Sequence, residues 1–260
     1  MFSNIQQLFS TKDLIWAWTY RTIRGRYKQS VLGGLWAIIQ PVATVAIFSI
    51  IFTLFIPVDT GDIPYPVFAY TAMVPWILFS SSVTDMVDSL VGNMNLVSKI
   101  YFPREVLPIA AMLARLVDFA IGYAVLLLLI LFYRVEINLL AWLFLPVVLM
   151  IQLALSLGLG LFGGALNVFY RDTKHIFVLG LQIWMYAMPI IYPVTAIPKE
   201  LLPFYYLNPM AGVIEAYRAI LLHQQLPGPY LIISATMAFL SFLFGYWFFK
   251  RAEFQFADVV

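Results

Sequence analysis

The 260-residue chain contains no cysteine, two histidines and only 11% charged residues. Each scarcity excludes a class of protein. Without cysteine there can be neither a disulfide framework nor a thiolate metal site. A soluble domain carries about 25% charged residues and about 45–50% apolar ones, whereas here 63% are hydrophobic, more apolar surface than one aqueous core of this length can bury. A net charge of +2, dispersed along the chain, does not suit nucleic-acid binding. None of the six lysines follows a glycine, so the phosphate-binding loop G-x-x-x-x-G-K-[ST] is missing and the chain cannot hold ATP in that way. The two histidines, His175 and His223, fall in connections expected on opposite sides of a membrane, which disfavours a His-based metal site or a Ser/His/Asp arrangement. No metal site is expected.

What the chain does have is length and continuity of apolar runs. Mean hydropathy is +0.90, and 7 Trp, 15 Tyr and 22 Phe are present. A spanning helix needs roughly 20 mostly apolar residues, and six windows qualify: Leu35–Pro57, Pro66–Val87, Val106–Tyr133, Leu139–Leu166, Ile176–Tyr192 and Leu231–Phe249. The second is interrupted by Pro75, and the fifth is short and ends at Pro189 and Pro193. The runs do not alternate apolar and polar residues, as barrel strands would. The expected class is therefore an all-α integral membrane protein of six transmembrane helices. Eleven Lys and Arg residues fall in the N-terminal segment, two connections and the tail, against three in the opposite connections; this places both termini in the cytoplasm.

Residues 1–34 form the first unit and residues 35–260 the second. The basic first segment is not expected to be a cleavable signal, because a full-length span follows it. Ser10 or Thr11 is placed to cap a helix with Leu14, Ile15 and Trp18 on one face and Arg21, Arg24 and Lys28 on a basic stripe. Such a helix suits the headgroup level of the cytoplasmic leaflet, either as a topology anchor or in handling an anionic lipid-linked substrate. The connection 194–229 is too long for a turn and too apolar to float free. Asn208 followed by Pro209 predicts a helix start, with Val213, Ile214, Tyr217, Ile220 and Leu221 on one face and Glu215 and Arg218 on another. A helix of about 16 residues rises about 24 Å, too little to span, so short re-entrant outer helices are expected between spans five and six.

Charge inside the membrane is a functional candidate by default. Arg115 and Asp118 stand three apart on the third window, and Asp85 and Asp88 lie near the cytoplasmic end of the second. They suit a clamp between the two spans or, alternatively, a proton or ion relay. Ser156, Gly160 and Gly164, with Gly158 and Gly163 beside them, allow another helix to approach closely. Trp184, Tyr186 and Tyr192, with Gln182 one turn from Tyr186, lie inside the fifth window, where they either pack or line an uncharged path for sugar rings.

Several segments then resemble the ABC-2 type permeases that export bacterial polysaccharides. They are the run Arg26-Tyr27-Lys28-Gln29-Ser30-Val31-Leu32-Gly33 leading to Leu35-Trp36 and Gln40-Pro41; Asn95-Leu96-Val97-Ser98-Lys99-Ile100 with Phe102-Pro103 and Glu105; Tyr170-Arg171-Asp172; and Asn208-Pro209-Met210 with Glu215 and Arg218. The resemblance implies a half-transporter that forms a homodimer and binds two copies of a cytoplasmic ABC ATPase, which would hold the ATP and Mg. It implies an ATPase-coupling segment at Val97, Ser98, Lys99, Ile100, Tyr101 and Arg104, and a substrate entrance at Arg21, Arg24 and Lys28. A channel with Gln40, Gln182, Trp184, Tyr186 and Tyr192, and an outer gate with Asn208, Pro209, Glu215 and Arg218, complete the set. The substrate implied is a polyprenyl diphosphate-linked polysaccharide crossing the inner membrane, O-antigen first, capsule or teichoic acid next. A small-molecule ABC-2 exporter and an ion-coupled secondary transporter are the alternatives.

Overall fold

Lipid offers no hydrogen bonds to an exposed backbone, so apolar runs of this length satisfy their own amides by coiling into helices. The computed structural model describes residues 11–28, 31–100 and 102–256, and no strand occurs among them. In chain order the helices are α1 (Lys12–Tyr27), α2 (Trp36–Ile50), α3 (Tyr65–Ser89), α4 (Met94–Val97), α5 (Val106–Phe132), α6 (Leu139–Trp142), α7 (Leu145–Phe169), α8 (Thr173–Tyr186), α9 (Leu202–Tyr205), α10 (Pro209–Leu221) and α11 (Tyr230–Ala252). Among the described residues, five stretches are long and apolar enough to cross a membrane: Gly33–Phe55, Tyr65–Ser89, Val106–Phe132, Leu139–Phe169 and Tyr230–Gln255. The fifth expected window is realised differently. Helix α8 has 14 residues, about 21 Å of rise against a hydrocarbon core of about 30 Å. Beyond Tyr186 the chain turns through the segment holding Pro189 and Pro193, which cannot donate backbone hydrogen bonds to a continuing helix.

Helix α3 is the centre of the bundle. In its window 78% of residues are buried, against 11–28% in the other four, because α2, α5, α7, α8 and α10 all pack on it. That surrounding explains how a span can carry Pro75, Ser80, Ser81, Thr84 and Asp85: its neighbours are protein, not lipid. Two buried amides of α7 stitch it in place. Gln152 donates through Nε2 to the carbonyl of Pro75 at 2.9 Å, and Asn167 donates through Nδ2 to the carbonyl of Val87 at 2.9 Å. Such bonds are worth having where water cannot compete.

The small residues of α7 serve close approach, as their spacing suggests. Gly160 and Gly164 lie against Met86 of α3, Gly163 against Val87 and Phe177, and Gly158 against the backbone of Ser241 and Gly245 of α11. Without a hydrophobic force to drive helices together in lipid, dispersion between closely approaching backbones takes over that task. Around the C-terminal ends of α3 and α11 a second apolar cluster joins Met86, Leu90, Val97, Leu161, Phe249 and Phe256, with Trp18 of α1 at its edge.

A Cβ on Gly245 would overlap the carbonyl of Gly158, whereas one on Gly25 of α1 would meet nothing. Gly245→Val should therefore destabilise the purified protein by about 1–3 kcal/mol through overpacking, and Gly25→Ala should stabilise it by up to about 1 kcal/mol through helix propensity. Thermal unfolding of the two variants in detergent measures both signs.

Candidate functional site

Toward the C-terminal end of α3 three helices place their charges on one point. Arg115 of α5 donates to Asp85 of α3 from Nε at 2.7 Å and Nη2 at 2.9 Å, and from Nη1 to Asp118 at 3.1 Å. Arg26 of α1 completes the node, donating to Asp85 and to Asp118 at 2.7 Å each, while the hydroxyl of Tyr27 donates to Asp118. Burial and the adjacent Asp118 carboxylate raise the Tyr27 pKa, which keeps its proton available for that bond. Two guanidinium groups face two carboxylates, so the node is neutral as a unit. Its arrangement is a clamp.

Two features of this node depart from the sequence expectation. Asp88 does not belong to it: one turn closer to the end of α3, it pairs instead with Lys174 at 3.3 Å in an exposed position. Arg26 and Tyr27 do belong, although the basic stripe Arg21, Arg24 and Lys28 had drawn attention to the other face of α1. The missed signal is a spacing. Ile15, Thr19, Thr22 and Arg26 stand at i, i+4, i+7 and i+11, one helical face, and that face is the one turned inward. Arg21, Arg24 and Lys28 are exposed on the outward face, where Arg21 also lies over the ring of Trp18 at 4.3 Å.

Cavities flank the node on both sides of α3. One, of about 330 Å3, lies among α1, α2, α3 and α5 and is lined by Tyr27, Trp36, Gln40, Ser81, Asp118 and Phe119 among others. The other, of about 270 Å3, opens between α3 and α8 and is lined by Trp76, Ser80, Thr84, Asp85 and Gln182 among others. Of the expected channel residues, Gln40 and Gln182 thus reach cavities, Tyr186 is exposed and Tyr192 half-buried. Trp184 borders a third cavity, of about 370 Å3, with Phe177 and Leu181, while it meets Phe79 edge-on at 5.4 Å and donates from Nε1 to Oδ1 of Asn208 at 3.1 Å. Ser80, Ser81 and Thr84 were not singled out, though three hydroxyls beside Asp85 in an apolar run are a visible signal.

The N-terminal end of α3 carries a second polar node. Arg218 of α10 is 1% exposed, so it is not on a polar face opposite the apolar one. Its guanidinium lies over the ring of Phe68 at 3.6 Å, Nη1 donates to Glu215 at 3.0 Å, and Nη2 donates to the carbonyl of Ile190 at 3.1 Å. Helix α10 has 13 residues, ten of them buried, so it is embedded among α3, α7 and α11. Pro209 takes the first helical position and Asn208 the N-cap position, but the Asn208 side chain makes no cap bond because Trp184 and Met188 engage it. Phe68 and Asp85, 17 residues apart on α3, separate the two nodes by about 25 Å.

In the connection between α3 and α5, Val97 is buried while Ser98, Lys99 and Ile100 are exposed. Arg104 turns inward, donating to the backbone carbonyl of Glu253 and lying 5.8 Å from the ring centre of Phe256. Tyr101 of the coupling set, the alternative cap Ser10 and the motif residues Gln29 and Ser30 lie outside the described residues. Because the chain has no cysteine, the clamp can be tested by labelling one introduced thiol. Arg26→Met should weaken the hold on α1 by about 1–3 kcal/mol, discounted from a fully buried pair because the groups are partly exposed, and a Thr19→Cys thiol, buried in the parent, should then react with maleimide faster.

The chain is similar to named transport proteins along its length. Over 258 residues the chain is 28% identical to an O-antigen export system permease protein RfbA of Klebsiella pneumoniae, covering 99% of this chain and 97% of that one. Over 265 residues it is 30% identical to the RfbA protein of Myxococcus xanthus, covering both completely. The polysialic acid transport protein KpsM of Escherichia coli is 29% identical over 210 residues, 76% of this chain and 77% of KpsM. Residues 13–222 match the ABC-2 type transporter family, a stretch that contains both polar nodes and the exposed connection between α3 and α5, and the chain belongs to that family.

Proposed function

We propose that this chain is the membrane subunit of an exporter that carries a polyprenyl diphosphate-linked polysaccharide across the inner membrane, with O-antigen the first candidate and capsule or teichoic acid polymers the next. The observation that carries this reading is the chemistry along α3. Hydroxyls, amides and aromatic rings line its cavities, and the charges at their floor are already neutralised in pairs. A sugar needs weak, repeated hydrogen bonds and flat apolar faces more than it needs net charge. A proton or ion relay would need free ionisable groups distributed through the bilayer. The end-to-end likeness to two O-antigen export permeases supports the same substrate class.

In this reading α8 and the turns after it make a short sixth crossing, both termini face the cytoplasm, and residues 194–229 form the outer gate. Two copies of the chain enclose the path. Force comes from two copies of a separate ATPase that hold ATP and Mg and seat against Ser98, Lys99 and Ile100. Arg21, Arg24 and Lys28, exposed on α1, meet the diphosphate at the headgroup level, where each basic residue is worth roughly 1 kcal/mol.

Purified chain and ATPase in lipid nanodiscs should hydrolyse ATP faster when a polyprenyl diphosphate-linked glycan is added. Stimulation by small hydrophobic drugs with indifference to the glycan would support a small-molecule exporter instead. Changing Arg21, Arg24 and Lys28 together to Gln should raise the glycan concentration for half-stimulation by about a hundredfold. Lys99→Glu with Ile100→Glu should strip the ATPase from the membrane complex on co-purification, without lowering the thermal stability of the membrane subunit.

A further inference from the structure

Beside the exposed connection lies an ion-pair cluster that the substrate path does not use. Glu105 precedes α5, where the helix dipole favours a negative charge, and Lys250 sits in the last turn of α11, where it favours a positive one. The ends of the two helices therefore attract, and the side chains complete the contact. Lys250 Nζ stands 2.7 Å from Glu105 Oε1 and 3.1 Å from Glu253 Oε2. Glu105 is 1% exposed, and its other oxygen has no hydrogen-bond partner among the described residues, so its charge depends on Lys250. Next to it Arg104 holds the carbonyl of Glu253 and lies against Phe256, whose ring meets Phe249 of α11 at 5.6 Å.

The connection between α3 and α5 is thus tied at its far end to the last spanning helix, not only to the helix it leads into. Replacing such a buried pair by apolar residues would cost little stability or even raise it; what the pair fixes is position. We infer that Glu105, Lys250 and Glu253, with Arg104, are positioning residues that transmit displacement of the exposed connection to α11. Helix α11 in turn packs along α7 at Gly158 and Gly245 and meets α10 where Ser234 lies under Gly212. A pull on Lys250 therefore moves the helix on which α10 rests. This inference rests on the reading of Ser98, Lys99 and Ile100 as the ATPase seat.

The test uses the complete complex and one thiol. Ser234 is fully buried between α11 and α10, so a Ser234→Cys variant should react slowly with maleimide at rest. Trapping the ATPase with ADP and vanadate should raise its labelling rate by about fivefold or more, the scale of a typical coupling between sites. Adding Lys250→Met should abolish that rise while the ATPase stays bound and hydrolyses ATP, and Lys250→Arg, which keeps the cation facing Glu105 and Glu253, should retain it. Equal rises with and without Lys250, or no rise in the parent, would overturn the inference. If Lys250→Met does not assemble, Glu253→Gln, which leaves the Glu105 pair intact, must weaken the rise, and an undiminished rise there would count against the link. The seat itself is judged separately: a vanadate response that survives Lys99→Glu with Ile100→Glu would refute that reading and leave the tie between Glu105 and Lys250 in question only as to what pulls on it.

Discussion

One constraint shapes the packing of this protein: a charged or amide side chain inside a bilayer is stabilised by a partner within the protein. The four-charge node of Arg26, Asp85, Arg115 and Asp118 meets it with two cations for two anions. Gln152 and Asn167 meet it by donating to carbonyls of α3. Arg218 meets it with a carboxylate, a carbonyl and an aromatic face. Since each solution needs groups from different helices, the same bonds that neutralise polarity also decide which helices are neighbours.

Helix α3 gathers these solutions along its length. Its N-terminal end holds α10 through Phe68, its middle accepts a hydrogen bond from Gln152, and its C-terminal end binds α1 and α5 through Asp85. Between the nodes run the hydroxyls of Ser80, Ser81 and Thr84, facing cavities on two sides. A helix shielded from lipid is free to carry such a stripe, and the charges at either end of it are paired.

The helical membrane class, the close approach at Gly158, Gly160 and Gly164, and the pairing of Arg115 with Asp85 were all legible from residue spacing, because each is a local pattern on one or two helices. What was not legible depends on a third element. Arg26 looked like one more cytoplasmic cation until α1 folded back onto α3 and α5. Arg218 read as half of a surface pair, since its burial is created by Phe68 and Ile190, which lie 150 and 28 positions away. Asn208 carried a cap signal that its side chain does not use, because Trp184 competes for its oxygen. Likewise the length of α8 is decided by the turns that follow, which hydropathy alone does not register.

The most direct measurement is translocation itself. Proteoliposomes holding the chain and its ATPase, loaded on one leaflet with a polyprenyl diphosphate-linked glycan, would be scored for glycan reaching the opposite side. The expected result is movement that requires both ATP and the ATPase and persists when ion gradients are dissipated. Translocation by the membrane chain alone, or driven by an ion gradient without ATP, would contradict a neutral sugar path powered from a separate subunit.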